Sequence, residues 1–339
     1  MSDIVFILGA GASRHAGAPL MAEFLDKARD LRAANPSSEC HDDLDRVFEA
    51  ISRLTLAHSK SELDIVNLES VFGAFEMAEL LKLSDYSGVV ASLKRVISWT
   101  LNESMAFMPA LMSSIAAPSA AYDDFAKLLV TLRTKTPLRT AAIITFNYDI
   151  GLDYALAVNR LRPSYYLEGP DAGQVPLLKL HGSVSWGQCL ECGCAVATSA
   201  NPTIMATQPV PSYKFKMPRQ QHCQKWVECL IVPPSWNKSE GRQGLVSVWQ
   251  QAAKELATAS TIAVCGYSLP ETDSFFRYLY ALGSVGSTVL RNFWVFDPST
   301  EVHERFKNLL GPGAYGRFQP RPHLFENAIS VMRALLLES

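Results

Sequence analysis

A diphosphate can be held by backbone alone, and the segment Gly9-Ala10-Gly11-Ala12-Ser13 has the composition to do it. Five apolar residues, Ile4-Val5-Phe6-Ile7-Leu8, run into it and read as a buried strand. A strand that ends in a glycine-rich turn opening a helix presents bare backbone N–H groups to a phosphate. Gly9 and Gly11 allow a close approach that a Cβ would block. Gly17, Ala18 and Pro19 follow, and Arg14 stands where a G-x-G-x-x-G pattern would have its third glycine. Taken alone, the segment therefore also reads as a tight strand-to-helix turn without a ligand.

Four more apolar runs end in polar residues. Ala141 to Phe146 ends at Asn147-Tyr148-Asp149, and Leu177 to Leu180 ends at His181-Gly182-Ser183. Ile262 to Cys265 ends at Gly266-Tyr267-Ser268-Leu269-Pro270 with Asp273 close behind, and Phe293 to Phe296 ends at Asp297-Pro298-Ser299. In open parallel α/β sheets, ligands bind beyond the carboxyl ends of the strands. Five strands ending in Gly, Asn, Asp, His and Ser describe one site assembled from distant parts of the chain.

Taken in order and spacing, Gly9-Ala10-Gly11-Ala12-Ser13 with Gly17-Ala18-Pro19, Phe146-Asn147-Tyr148-Asp149, Leu180-His181-Gly182-Ser183 and Gly266-Tyr267-Ser268-Leu269-Pro270 resemble the sirtuin superfamily. The closer resemblance is to its sirtuin-like branch of bacterial antiphage defence proteins. It implies an α/β fold with a Rossmann-like, doubly wound parallel sheet, in a single NAD-binding domain over residues 1–339. It also implies a small cysteine-containing, zinc-ribbon-like module at about 186–232, while residues about 25–135, outside the resemblance, read from their own pattern as a helical insert.

The resemblance assigns roles residue by residue. Gly9, Ala10, Gly11, Ala12 and Ser13 match the phosphate-binding turn. Asn147 matches the asparagine beside the nicotinamide ribose, Asp149 the aspartate that holds the carboxamide, and His181, followed by Gly182, the histidine acting on the ribose hydroxyls. Gly266, Tyr267 and Ser268 fall among the later phosphate and ribose contacts, and Asp297 at the adenosine ribose. His181 and Asn147 are the catalytic candidates. An imidazole with a pKa near neutrality can take a hydroxyl proton. Breaking the nicotinamide–ribose bond develops oxocarbenium character, which nearby oxygen dipoles from Asn147 and Ser13 would stabilise.

The chain also departs from deacylating sirtuins. Those continue the first motif with Pro-Asp-Phe-Arg, whereas Pro19 is followed here by Leu20-Met21-Ala22-Glu23-Phe24. Where they carry a Phe-Gly-Glu stretch that adds the acyl-peptide as a strand, this chain reads Leu230-Ile231-Val232-Pro233-Pro234-Ser235-Trp236. Two prolines cannot donate ladder hydrogen bonds. The expectation is an NAD hydrolase releasing nicotinamide and ADP-ribose, with NAD depletion in antiphage defence. The alternatives are an NAD-dependent protein deacylase or ADP-ribosyltransferase, and a non-enzymatic NAD or ADP-ribose sensor acting by assembly. In that branch, oligomers and partners such as a translocase ATPase or an Argonaute-type protein control the activity, so a homo-oligomer is expected.

Seven cysteines give a second chemical clue. With the first strand beginning at residue 4, no signal peptide is read, which points to the reducing cytoplasm and to metal rather than disulfides. Cys189-x-x-Cys192-Gly193 is a zinc-knuckle half. Cys223 and Cys229 would complete a structural zinc site, with His222 and Cys194 as spare ligands.

A net charge of −2 from 31 basic and 33 acidic residues argues against a dominant electrostatic grip on nucleic acid. No apolar run is long enough to span a bilayer. Between residues 25 and 135 the pattern is helical, broken at Asn35-Pro36-Ser37-Ser38. Leu63 to Leu83 reads as one amphipathic helix, and Leu93, Val96, Ile97 and Leu101 mark a second. The insert is expected to cover the nicotinamide end, to build an oligomer contact, or to pack on the sheet. Leu245, Val248, Trp249, Ala252, Ala253 and Leu256 form a helix stripe with Trp249 expected in the core, and Phe325 to Leu337 reads as a last helix.

Overall fold

The computed structural model describes residues 2–57, 63–105, 117–135, 140–167, 169, 174–189, 193–197, 214–216, 226–232, 243–286 and 288–337. Its centre is a seven-stranded, wholly parallel sheet. Five strands are those expected: β1 (Ile4–Leu8), β2 (Ala141–Thr145), β4 (Val175–Lys179), β9 (Thr261–Cys265) and β10 (Asn292–Phe296). The short β3 (Pro163–Ser164) and β11 (Phe318–Arg321) add the two edges, and the order is β11-β10-β9-β1-β2-β4-β3. β1 is buried throughout, as a central parallel strand covered on both faces must be.

Side-chain parity divides the core. Ile4, Phe6 and Leu8 face one side of the sheet, and Val5 and Ile7 face the other. The first face carries α1 (Phe24–Ala34), α2 (His41–Ala57), α3 (Leu68–Leu80), α4 (Val89–Ser104), α5 (Ala120–Lys135), α6 (Gly151–Val158) and the final helix α10 (Phe325–Leu337). The second carries α7 (Val246–Thr258), α8 (Ser274–Gly283) and α9 (Thr300–Leu309). The insert thus packs on one face of the sheet through Phe125 of α5, edge-on to Phe6 at 5.0 Å between centroids, while α4 lies against α1, α2, α3 and the strand Trp226–Ile231.

The helix expected over Leu63 to Leu83 is shorter. Asp64 Oδ1 accepts from the N–H groups of Val66 and Asn67, and Asn67 Oδ1 accepts from Glu69 N at 2.8 Å. This turn and cap hold the first five residues out of the helix. Trp249 is half-buried rather than core, and its Nε1 donates to Leu180 O at 2.9 Å.

A second, antiparallel sheet has the order β6-β5-β8-β7, from β5 (Gly182–Cys189), β6 (Ala195–Ala197), β7 (Lys214–Lys216) and β8 (Trp226–Ile231). It begins earlier than the module expected from residue 186, because only Leu180 and His181 separate β4 from β5. Gly182 makes the turn at φ +82, and a Cβ there would stand 2.0 Å from Leu230 O.

Of the four expected zinc ligands, Cys192 and Cys223 lie outside the described residues, as do Pro233 and Pro234. Cys189 is buried. The Sγ of Cys229 lies 3.4 Å from Ser98 Oγ, in the core facing α4, and burial pushes its thiol up to about 11. Among the described residues, no three His, Cys, Asp or Glu side chains gather to hold a metal. No helix among them is long and apolar enough to cross a membrane.

Beneath the strand ends, Lys179 and Asp153 form a wholly buried ion pair at 2.9 Å. Lys179 Nζ also donates to Asp149 O and to Ser183 Oγ, and Asp153 Oδ1 accepts from Tyr165. One side chain thereby ties β4, the Asn147–Asp149 exit, α6 and β5 together. Removing one partner of such a pair leaves an uncompensated charge. Lys179→Met should cost about 3–5 kcal/mol in urea unfolding, and adding Asp153→Leu should restore part of that loss. A loss under about 1 kcal/mol in the single variant would show that the pair is not a structural tie.

Candidate active site

β1 and β9 end in turns that lie against each other. Gly9 N donates to Cys265 O at 3.2 Å and Gly11 N to Gly266 O at 2.9 Å. A Cβ on Gly9 would stand 2.5 Å from Tyr267 Cα, and one on Gly266 (φ +60) would stand 2.5 Å from Ala12 N. The glycines are therefore required by the contact between the two turns. Ala12 N and Ser13 N are also taken, by Gly9 O and Ala10 O. This corrects the picture of a row of bare N–H groups at Gly9 to Ser13, because four of those five groups already have protein acceptors.

The turns flank the point where the chain, having built the sheet to one side of β1, returns to build the other. A cavity of about 410 Å³ opens there. Of the expected site residues, Ala10, Gly11, Asn147, His181, Gly266, Tyr267, Ser268 and Asp297 line it. They belong to the exits of β10, β9, β1, β2 and β4, so four inter-strand steps of about 4.8 Å give it a reach of about 19 Å. That length suits a dinucleotide rather than a single base or sugar.

Gly9, Ala12, Ser13, Asp149 and Gly182 support the lining from behind. Ser13 Oγ donates to Asp149 Oδ2 at 2.6 Å and accepts from Asn147 Nδ2 at 2.8 Å, and it lies 2.6 Å from the Tyr122 hydroxyl. With its own proton committed to the carboxylate, Ser13 receives the tyrosine proton. Asn147 Nδ2 also donates to Gly9 O at 2.8 Å. Both amide hydrogens are then used, and the group Asn147 has left for a ligand is its carbonyl oxygen. Asp149 Oδ1 accepts from Gly151 N at 2.9 Å. Asp149 is thus a member of the buried network that aims Asn147, rather than a lining residue. Burial, with Asp149 nearby, holds the Tyr122 hydroxyl well above its ordinary pKa.

His181 is fixed through both its backbone and its ring. Its carbonyl accepts from Val232 N at 2.9 Å, and its ring packs edge-on to Phe146 at 5.3 Å between centroids. Phe146 is in turn stacked on Tyr267 at 3.9 Å. Nε2 of His181 is buried and without a hydrogen-bond partner among the described residues, and Asp273 Oδ1 stands 3.7 Å from it. The other oxygen of Asp273 accepts from the Tyr267 hydroxyl at 2.6 Å. A carboxylate at this distance stabilises an imidazolium when one forms.

Sequence reasoning noted Asp273 only as a neighbour of the Gly266 motif; six residues separate it from its partner Tyr267. Tyr122, Asn67 and Glu69 were not found, and all three come from the insert, where helical spacing gives no sign of an inward-facing polar group. Asn67 and Glu69 line the cavity together with Met21, whose carbonyl accepts from Leu68 N at 3.1 Å. The insert therefore both packs on the sheet and reaches the site.

No protein-family model matches the chain, and no curated protein matches it. Among solved structures it is similar to a Sir2 homologue in complex with NAD, at TM-score 0.43 and 13% identity over 99% of this chain and 89% of that one. It is also similar to a mutant Sir2 homologue in complex with ADP-ribose, at TM-score 0.43 and 14% identity over 99% and 92%. A third, from work on the mechanism and regulation of Sir2 enzymes, has a TM-score of 0.45 and 14% identity over 99% and 94%.

At the far end of the cavity, burial raises the Asp297 carboxyl above its ordinary range, while its Oδ1 accepts from Ser299 N at 2.8 Å. Folding therefore favours the protonated form. Stability contributed by this group is present below the ordinary carboxylate pKa and is lost as pH rises through the raised one. Asp297→Asn keeps the acceptor and removes the charge. It should raise the thermal midpoint at pH 7 and leave it unchanged near pH 3, as followed by calorimetry; an equal or lower midpoint at pH 7 would contradict this account.

Proposed function

We propose that the cavity takes nicotinamide adenine dinucleotide and hydrolyses its nicotinamide–ribose bond, releasing nicotinamide and ADP-ribose. The observation that carries the reading is the lining itself. A buried imidazole backed by a carboxylate and an aimed asparagine stand at one end of the lining and an aspartate at the other, across five strand ends that span about 19 Å. The glycine turns lie between them at the sheet's switch point, where a diphosphate is best placed.

In this reading Asp297 accepts from the adenosine ribose, and Gly11, Gly266 and Ser268 line the path of the diphosphate. Asn147 and His181 hold the nicotinamide ribose. When the bond between C1′ and the pyridinium nitrogen breaks, its electron pair stays on nitrogen and neutral nicotinamide leaves. Positive charge develops on C1′ and the ring oxygen, where the carbonyl dipole of Asn147 stabilises it. A water oxygen bonds to C1′, and its proton passes to Nε2 of His181. Asp273 stabilises the imidazolium and, held by Tyr267, keeps its position while the ring takes up and releases the proton. The sequence resemblance carries the further expectation that this hydrolysis depletes NAD in antiphage defence.

Incubating the purified protein with NAD and following nicotinamide by chromatography tests the reading, with and without an acetylated lysine peptide. His181→Ala and Asn147→Ala should each abolish release while circular dichroism stays that of the folded protein; Asn147→Ala, which leaves Gly9 O and Ser13 Oγ without a donor, should also lower the thermal midpoint. Asp273→Asn should lower kcat by about 10²-fold or more, in line with the loss of other general-base supports. Wild-type turnover in either alanine variant would remove that residue from the mechanism, and release that required the peptide would replace hydrolysis with acyl transfer.

A further inference from the structure

The His181 end of the cavity has a composition that the hydrolysis step does not use. Phe146, Tyr148 and Tyr267 are among its lining, Phe146 and Tyr267 stacked on each other, and so are two carboxylates from different parts of the chain. Asp273 comes from the β9 exit. Glu69 comes from the first turn of α3, in the insert, and is half-buried.

The backbone under Glu69 is pinned from both sides. Its own N–H is capped by Asn67, and the N–H of the preceding Leu68 donates to Met21 O in the segment that follows the first glycine turn. Glu69 and Asp273 act on the same two rings. Ionisation of Tyr148 is opposed first by burial and then by the charges of Glu69 and Asp273. That of Tyr267 is opposed by burial, by Asp273 and, more weakly, by Glu69. Of the cations, Arg14 is ion-paired with Glu23 at 3.1 Å, and Arg277 acts on Tyr267 in the opposite sense, more weakly than Asp273 or Glu69. Carboxylates beside aromatic rings attract a flat cation and give nothing comparable to its neutral analogue.

We propose that Glu69 is a specificity-determining residue of this site, selecting ligands whose ring at the His181 end is a positively charged N-alkylpyridinium over the neutral reduced ring. This rests on the dinucleotide reading above, which needs the oxidised ring for the bond to break, and names what that reading leaves open: the residue through which the site prefers that ring. It also gives the insert a chemical part in the site beyond packing on the sheet.

Isothermal titration with three ligands separates the two ideas. Carba-NAD keeps the pyridinium charge and resists cleavage, NADH has a neutral ring, and ADP-ribose has no ring at that end. The wild-type protein should bind carba-NAD at least about tenfold more tightly than NADH. Glu69→Gln should shrink that ratio to about twofold while leaving ADP-ribose affinity unchanged, and Glu69→Asp, which keeps the charge, should retain part of the preference. A ratio that survives in Glu69→Gln overturns the proposal and leaves the dinucleotide reading standing. A parallel fall in ADP-ribose affinity overturns it as well, by making Glu69 a structural residue. Failure of the wild-type protein to bind any of the three overturns the dinucleotide reading itself.

Discussion

The site depends on how closely two turns can approach. At the ends of β1 and β9, backbone meets backbone with room for hydrogens only, and a Cβ on any of Gly9, Gly11 or Gly266 would fall 2.5–2.9 Å from the opposing main chain. This contact sets the separation of the two strand ends around the switch point and thereby the floor of the cavity. Phe146 can stack on Tyr267 only because Tyr267 is held beside Gly9. The stack then fixes the ring of His181 on one side, and Asp273 hangs from the Tyr267 hydroxyl on the other. Opening the turn contact would therefore disturb the proposed chemistry several residues away.

A second constraint lies below the first. Ser13, Tyr122, Asn147 and Asp149 form a closed set of short hydrogen bonds in which each donor has a named acceptor. Lys179 joins that set to Asp153 and Ser183 through the Asp149 carbonyl. Buried polar groups are costly unless satisfied, and a fully satisfied network admits few alternative arrangements. Asn147 thus has one orientation available. Tyr122 belongs to α5, so the insert shares in holding the amide as well as supplying Glu69.

The strands were legible because buried parallel strands are continuous apolar runs, and their polar exits stand out against them. β1, β2, β4, β9 and β10 fall within two residues of their expected bounds for that reason. Asn147, His181, Gly266 and Asp297 could be gathered because the ends of parallel strands lie on one side of a sheet. What the sequence could not show is which polar residue faces outward from the network. Ser13 and Asp149 looked like ligand contacts and turn out to be supports, whereas Asp273, Glu69 and Asn67 sit in turns or at a helix start, where Asp, Glu and Asn are common for local reasons. For Cys229, spacing could not show what the thiol lies against. Its partner is Ser98, more than a hundred residues earlier.

The two-residue passage from the large sheet to the small one carries a thermodynamic consequence. His181 is the last residue before Gly182 turns the chain into β5, and its carbonyl is held by Val232 at the end of β8. The small sheet is packed on the large core chiefly through Val184, Trp186, Leu230 and Ile231 and is tied to the β2 exit by Val184 N, which donates to Tyr148 O at 2.9 Å, so the contacts that attach it are also those that place His181. Opening them would release the imidazole from its carboxylate while most of the spectroscopic signal of the fold persisted. If that attachment loosens on warming before the parallel sheet does, competence would be lost ahead of the global transition.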